Sequence, residues 1–96
     1  HVATVLLAAR AAGAPVRGAV NLRYDPDLLA ELDEDYPTVE FDAEASSAEA
    51  VRDALEGWTG ETPVVIYQTG AVGVEPIVYV LAGDAVEAAR IVREYL

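Results

Sequence analysis

The feature that most constrains this chain is its alternation between two hydrophobic periods, switched at glycine and proline. Val2, Val5, Leu6 and Ala9 fall at i, i+3, i+4 and i+7, one face of a helix, and Gly13 and Pro15 end it. Val16, Gly18, Val20 and Leu22 then alternate with Arg17, Ala19, Asn21 and Arg23, the two-residue period of a strand. Asp25-Pro26 supplies an N-cap with proline in the first turn. Leu28, Leu29 and Leu32 give the following helix its apolar face before Tyr36-Pro37 closes it. Thr38 to Asp42 alternates again, with Val39 and Phe41 facing inward. Ser46 and Glu49 make a capping box ahead of Ala48, Val51, Leu55 and Trp58, and Gly57 and Gly60 stop that helix. Pro63 to Tyr67 is a β-branched run of the buried-strand kind, Gln68 to Pro76 a glycine-bearing loop, and Ile77 to Leu81 a further strand. A second capping box, Asp84 and Glu87, opens a last helix whose apolar face is Val86, Ala89, Val92 and Leu96.

The order α-β-α-β-α-β-β-α predicts an α/β fold: a mostly parallel, mixed sheet flanked by helices, with one antiparallel pair across the glycine loop. Ninety-six residues with no repeat, linker or low-complexity tract make a single unit, 1–96. A hydrophobic share of 53% excludes intrinsic disorder. No apolar run approaches the ~18–20 residues a membrane-spanning helix needs. The absence of cysteine removes disulfides, thiolate nucleophiles and Cys-ligated zinc. Seventeen acidic residues face six basic ones, all arginine, for a formal charge of −11. Such a charge repels phosphate backbones, so this segment is not expected to bind nucleic acid directly. An acidic surface without lysine fits adaptation to high salt, where repulsion is screened, or the residue bias of a GC-rich genome. The chain opens on His1 in helical pattern with no basic n-region, so a cytoplasmic piece of a longer polypeptide is expected rather than a secreted one.

Ligands of open α/β sheets gather beyond the carboxyl ends of strands, and two segments lie there. The first, Asn21 to Asp25, places an amide and a guanidinium two residues apart on one face, able to hold a phosphate together or to form a solvated edge. The second is Gln68 to Pro76. Gly70 and Gly73 permit positive φ and let backbone amides converge on an anion, or simply turn a long hairpin. Thr69 adds a hydroxyl, Gln68 an amide, and Glu75 a carboxylate able to orient an amine or meet magnesium. Neither a P-loop nor a dinucleotide fingerprint is present. His1 is the only histidine and cannot build a metal site alone, so no protein-held metal is expected. Trp58, Tyr67 and Tyr79 read as packing, and Glu31, Asp33, Glu34 and Asp35 as a solvated helix face.

Read together, the two segments resemble a known family. Arg17 to Asp25 (RGAVNLRYD) is similar to the R-A-A-M-N-I-R-Y segment of the archaeal thiamine-phosphate synthase domain, the ThiN type. Val65 to Ile77 (VIYQTGAVGVEPI) resembles that family's I-Y-D-x-G-x-x-G-K-E-P-M loop, and His1 to Arg10 the helix before both. The resemblance spans the chain, and it implies the C-terminal half of a longer domain with another domain upstream. Two activities follow from it. Fused to a pyrimidine kinase, the domain condenses hydroxymethylpyrimidine diphosphate with thiazole phosphate, releasing pyrophosphate. Fused behind a helix-turn-helix, as in haloarchaeal members with a Tyr-Gln-Thr-Gly loop, it senses thiamine phosphates for a transcriptional regulator. Val74 stands where the synthase loop carries lysine, and Gln68 where it carries a carboxylate. Losing that cation where negative charge leaves favours the sensor. His1 falls where the synthase has a histidine linked to catalysis, which favours chemistry. The resemblance thus implies a ligand of the thiamine phosphate class at Asn21, Arg23, Gln68, Thr69, Gly70, Gly73 and Glu75. Magnesium is the one cofactor implied, arriving with the phosphorylated ligand, and a homodimer is left open.

Overall fold

The structure, a computed structural model, describes residues 2–44, 47–56, 58 and 62–95. Helices form where the apolar period is 3.6: α1 (Val2–Ala11), α2 (Pro26–Asp35), α3 (Ser47–Leu55) and α4 (Ala85–Tyr95). Strands β1 (Gly18–Arg23), β2 (Thr38–Glu40), β3 (Val64–Gln68) and β4 (Ile77–Ala82) lie between them in the expected order. The caps work as their sequences suggest. Asp25 accepts from the Asp27 N–H at 2.9 Å, and Asp84 accepts from the Glu87 N–H at 2.7 Å. The proposed Ser46 cap, the Gly57 and Gly60 stops, and Leu96 lie outside the described residues.

One mixed sheet runs in the order β1-β4-β3-β2. The α/β class, the mixed sheet and the antiparallel pair across the glycine loop stand, while the balance of pairings corrects the expectation of a mostly parallel sheet. Only β2 and β3 pair in parallel, and β4 pairs antiparallel with both β3 and β1. The cause lies in burial. All of β4 after Ile77 is buried, on both sheet faces, so it must sit centrally, and the loop from β3 delivers it there as a hairpin partner. In contrast, β1 alternates between half-buried and exposed from Ala19 onward, the pattern of an edge strand.

Two apolar layers clamp this sheet. Val5, Ala9, Val51 and Leu55 of α1 and α3 meet Val64, Ile66 and Leu81 on one face. Leu32 and Ile91 of α2 and α4 meet Val65, Val78 and Val80 on the other. Each valine, leucine or isoleucine among them contributes about 1.5–3 kcal/mol by leaving water. Val86 departs from the expected inward face of α4, being 76% exposed, while Val92 of that face is buried, together with Ala88 and Ile91. Val16 and Phe41 are buried as the strand pattern requires, although both lie just outside the regular strands. Gly18 has no room for a side chain, since a Cβ there would lie 2.2 Å from the Asp84 carbonyl carbon.

Candidate functional site

Strand directions decide where the two singled-out segments go. Both β1 and β3 run opposite to β4, and β2 runs with β3, so the carboxyl ends of three strands share one edge. The register is explicit there. Arg23 and Gln68 both stand opposite Ile77, one on each side of β4, and Asn21 and Ile66 flank Tyr79 in the same way. Residues opposite one another in antiparallel strands point to the same face, so Asn21, Arg23 and Gln68 share the face covered elsewhere by α1 and α3. The amide–guanidinium pair and the glycine bend are therefore on one side of the sheet.

The loop between β3 and β4 is stiffened from within. Gln68 is 96% removed from solvent, its Nε2 donates to the Glu75 carbonyl, and its Oε1 accepts from the Gly70 N–H, both at 2.5 Å. Ala71 and Val74 exchange backbone hydrogen bonds of 3.1 and 2.9 Å around Val72-Gly73. Gly70 and Gly73 take φ of +94° and +76°, which L side chains rarely adopt. Crowding at Gly70 adds to the restriction, because a Cβ would come within 3.2 Å of the Val74 oxygen and of Pro76. The expected convergence of glycine amides on an anion is accordingly altered: the Gly70 N–H already has the Gln68 side chain as its partner. Gln68 is a brace inside the loop rather than a surface ligand group.

This stiff loop divides the edge into two hollows, one with a charge of each sign and one acidic. Arg23, Tyr24, Glu75 and Pro76 line one, of about 360 Å³. The other, of about 520 Å³, lies between the loop and the chain leaving β2, with Thr69 and Val72 on one wall and Glu40, Asp42 and Glu44 on the opposite one. Arg23 and Glu75 are thus brought together, and Thr69 and Gly70 open onto the acidic side. Asn21 sits one pleat back from Arg23, exposed, and outside the residues lining either hollow. His1, the proposed catalytic residue, lies outside the described residues. The sequence reading missed Glu40, Asp42 and Glu44, taking the segment only for its inward Val39 and Phe41. Its polar alternation at the end of a parallel strand was the available signal.

Several neighbours read as packing prove to be so. Tyr79 is buried against Phe41, with ring centroids 6.3 Å apart. Trp58 is half-buried against the α1–α3 core. Tyr67 stands beside Tyr24 and Thr38. Burial, and then Glu40, raises its hydroxyl pKa above the usual value. Among the acids of α2, Asp33 accepts from the Thr38 hydroxyl at 2.6 Å and Asp35 from the Tyr95 hydroxyl, as a solvated face permits. Among the described residues no group of three or more acidic or histidine side chains is placed to hold a metal, so no step is assigned to a protein-held magnesium. Nor is any helix there long and apolar enough to cross a membrane.

Residues 1–94 match the profile of the family described as thiamine-phosphate synthase ThiN. The bifunctional thiamine biosynthesis protein ThiDN of Methanocaldococcus jannaschii is 31% identical over 96 residues, which cover 94% of this chain and 23% of that protein. A crystallised C-terminal domain of a protein from the same organism superposes with a TM-score of 0.84 at 27% identity, over 99% of this chain and 55% of the other. The C-terminal domain of a phosphomethylpyrimidine kinase shares the fold, with a TM-score of 0.81 at 18% identity, over 100% of this chain and 60% of that one. The chain therefore spans about a quarter of the curated relative and little more than half of the solved domains.

Proposed function

Because this chain belongs to the thiamine-phosphate synthase ThiN family, we propose that it binds thiamine phosphate or its pyrimidine and thiazole phosphate precursors at the carboxyl edge of the sheet, as the sensing part of a transcriptional regulator. The observation that carries this reading is that the glycine loop stands between a hollow holding both Arg23 and Glu75 and one walled by Glu40, Asp42 and Glu44. A ligand with phosphate at one end and a cationic or amine-bearing ring at the other suits both. Arg23 takes the phosphate through a charge-assisted hydrogen bond, helped by Asn21 on the same face. Glu75, Thr69 and the wall of Glu40, Asp42 and Glu44 receive the ring and its amine. Gly70 and Gly73 hold the loop's shape, and Gln68 locks it.

The choice of sensor over synthase rests on Val74. Where the synthase loop carries lysine, this loop carries an exposed valine, and among the described residues Arg23 is the one cation lining either hollow. A leaving pyrophosphate needs more positive charge than that. The upstream helix-turn-helix and the haloarchaeal origin that the resemblance implies belong to this same reading. A synthase is the second reading, supported by the name of the Methanocaldococcus jannaschii relative. In it the thiazole nitrogen attacks the pyrimidine methylene, the carbon–oxygen bond breaks, and pyrophosphate departs, with His1 positioned to protonate leaving oxygens.

Calorimetry with thiamine phosphate, paired with an assay of pyrophosphate release from both precursors, separates the two. Binding without turnover supports the sensor, and steady pyrophosphate release refutes it. If neither binding nor turnover occurs, the ligand assignment falls.

A further inference from the structure

The hollow of Arg23, Tyr24, Glu75 and Pro76 sets a cation and an anion around one small space. Their backbones are fixed independently. Arg23 pairs with Ile77 at the start of β4, and Glu75 precedes that partner by two residues. The Glu75 carbonyl accepts from the Gln68 side chain, and the proline that follows keeps Glu75 out of helical backbone geometry. Gln68 is buried and lines neither hollow, so it acts through the loop alone. Asp25, next after Tyr24, has its carboxylate engaged with the Asp27 N–H, and Glu75 is the one acid lining this hollow among the described residues. Arg23 and Glu75 are not joined in an ion pair, whereas Arg90 and Glu94 on α4 are, at 2.8 Å.

We propose that Arg23 and Glu75 form a clamp for a zwitterion: a phosphate ester with a positive charge close along the same chain. Resting on the reading of this edge as a phosphate site, the clamp narrows the class of ligand that the site admits. Arg23 alone accepts any phosphate. With Glu75 across the same space, a bare dianion meets one attractive and one repulsive partner, while a ligand carrying both charges satisfies both. The formal charge of −11 disfavours every dianion as a background, and the clamp adds a local preference to it. Thiamine phosphate meets the requirement, because its ring nitrogen is quaternary and that ring bears the phosphorylated ethyl chain. Thiazole phosphate has the same chain on a neutral ring, so the clamp separates the condensed compound from its precursor by charge. A diphosphate brings more negative charge and fits less well.

Magnetic-resonance titration of the isotope-labelled chain, read at the backbone amides of Tyr24 and Glu75, compares O-phosphoethanolamine with ethyl phosphate at low ionic strength. The two probes share the phosphate and the two-carbon chain and differ by the ammonium group. Phosphoethanolamine should bind about fivefold more tightly, the upper range for an exposed ion pair. Glu75→Gln should bring the ratio close to one, chiefly by strengthening ethyl phosphate. Glu31→Gln, on the solvated face of α2, removes the same charge from the background and should leave the ratio standing. Equal binding of the two probes overturns the proposal, as does a preference that Glu75→Gln spares or Glu31→Gln abolishes. Equal gains by both probes in Glu75→Gln also overturn it, since Glu75 then only competes for Arg23. So does a failure of both probes to bind at tens of millimolar. Calorimetry with thiamine phosphate tests the underlying reading separately. Binding there without a probe preference keeps that reading and removes the clamp, and a probe preference without thiamine phosphate binding does the reverse.

Discussion

Arg23 is the residue on which ligand affinity should turn, because among the described residues no other cation lines either hollow at this edge. A hydrogen bond between charged partners contributes about 1.5–3 kcal/mol, so Arg23→Ala should weaken thiamine phosphate binding by roughly 10–100-fold in calorimetry. Unchanged affinity would remove Arg23 from the site. Gln68 acts differently, through the loop. Gln68→Leu keeps the volume and leaves the Gly70 N–H and the Glu75 carbonyl without their side-chain partner. That should cost about 2 kcal/mol in urea unfolding and lower ligand affinity through a loosened loop. The positions of both residues were legible in the sequence, because strand ends at glycine bends are where α/β sheets bind. The brace was not legible. Whether an amide faces a ligand or its own loop depends on where the chain returns seven residues later, which no local pattern encodes.

At the scale of elements, the helices and strands follow from periodicity and punctuation, and the Asp25 and Asp84 caps hold as written. What periodicity leaves undecided is neighbourhood. The start of β1 runs so close to the β4–α4 turn that Gly18 has the Asp84 backbone where a Cβ would be. Gly18→Ala should therefore displace backbone and cost at least ~2 kcal/mol in thermal or urea unfolding, well beyond the usual propensity difference between glycine and alanine. Stability within about 0.5 kcal/mol of the parent would show that the approach is looser. The same ignorance of neighbours explains Val86. Its spacing with Ala89 and Val92 marks an apolar stripe, but only packing onto the sheet reveals that Val92 is buried, Ala89 half-buried and Val86 exposed. The acidic wall of Glu40, Asp42 and Glu44 was overlooked for a related reason, since its meaning comes from the glycine loop standing opposite.

Over the whole molecule, charge and pH give two further tests. With a formal charge of −11, self-repulsion in the folded state should be relieved by salt. The melting temperature should rise as potassium chloride is added, and a flat or falling response would argue against salt adaptation. At alkaline pH, the Tyr95 hydroxyl links α4 to Asp35 at the end of α2, and this bond to a carboxylate holds the phenol in its neutral form, above its ordinary value of 10.0. Because the folded value is the higher one, the stabilisation is complete below pH 10 and is lost as the pH climbs through the folded value. Tyr95→Phe should flatten that limb of a stability–pH curve, leaving the smaller contribution of Tyr67, whose hydroxyl shifts the same way through burial. By itself the sequence determined the order of elements and, through two short segments, the family, and it singled out the edge where a ligand is proposed. These are properties of local spacing, which a chain carries unfolded. Tertiary structure alone decided that β4 enters between β1 and β3, that the glycine loop parts the hollow of Arg23 and Glu75 from an acidic one, and that Val86 of α4 stays exposed. Each of these depends on which distant surfaces meet, and that is settled by burying the most apolar strands at the centre of the sheet.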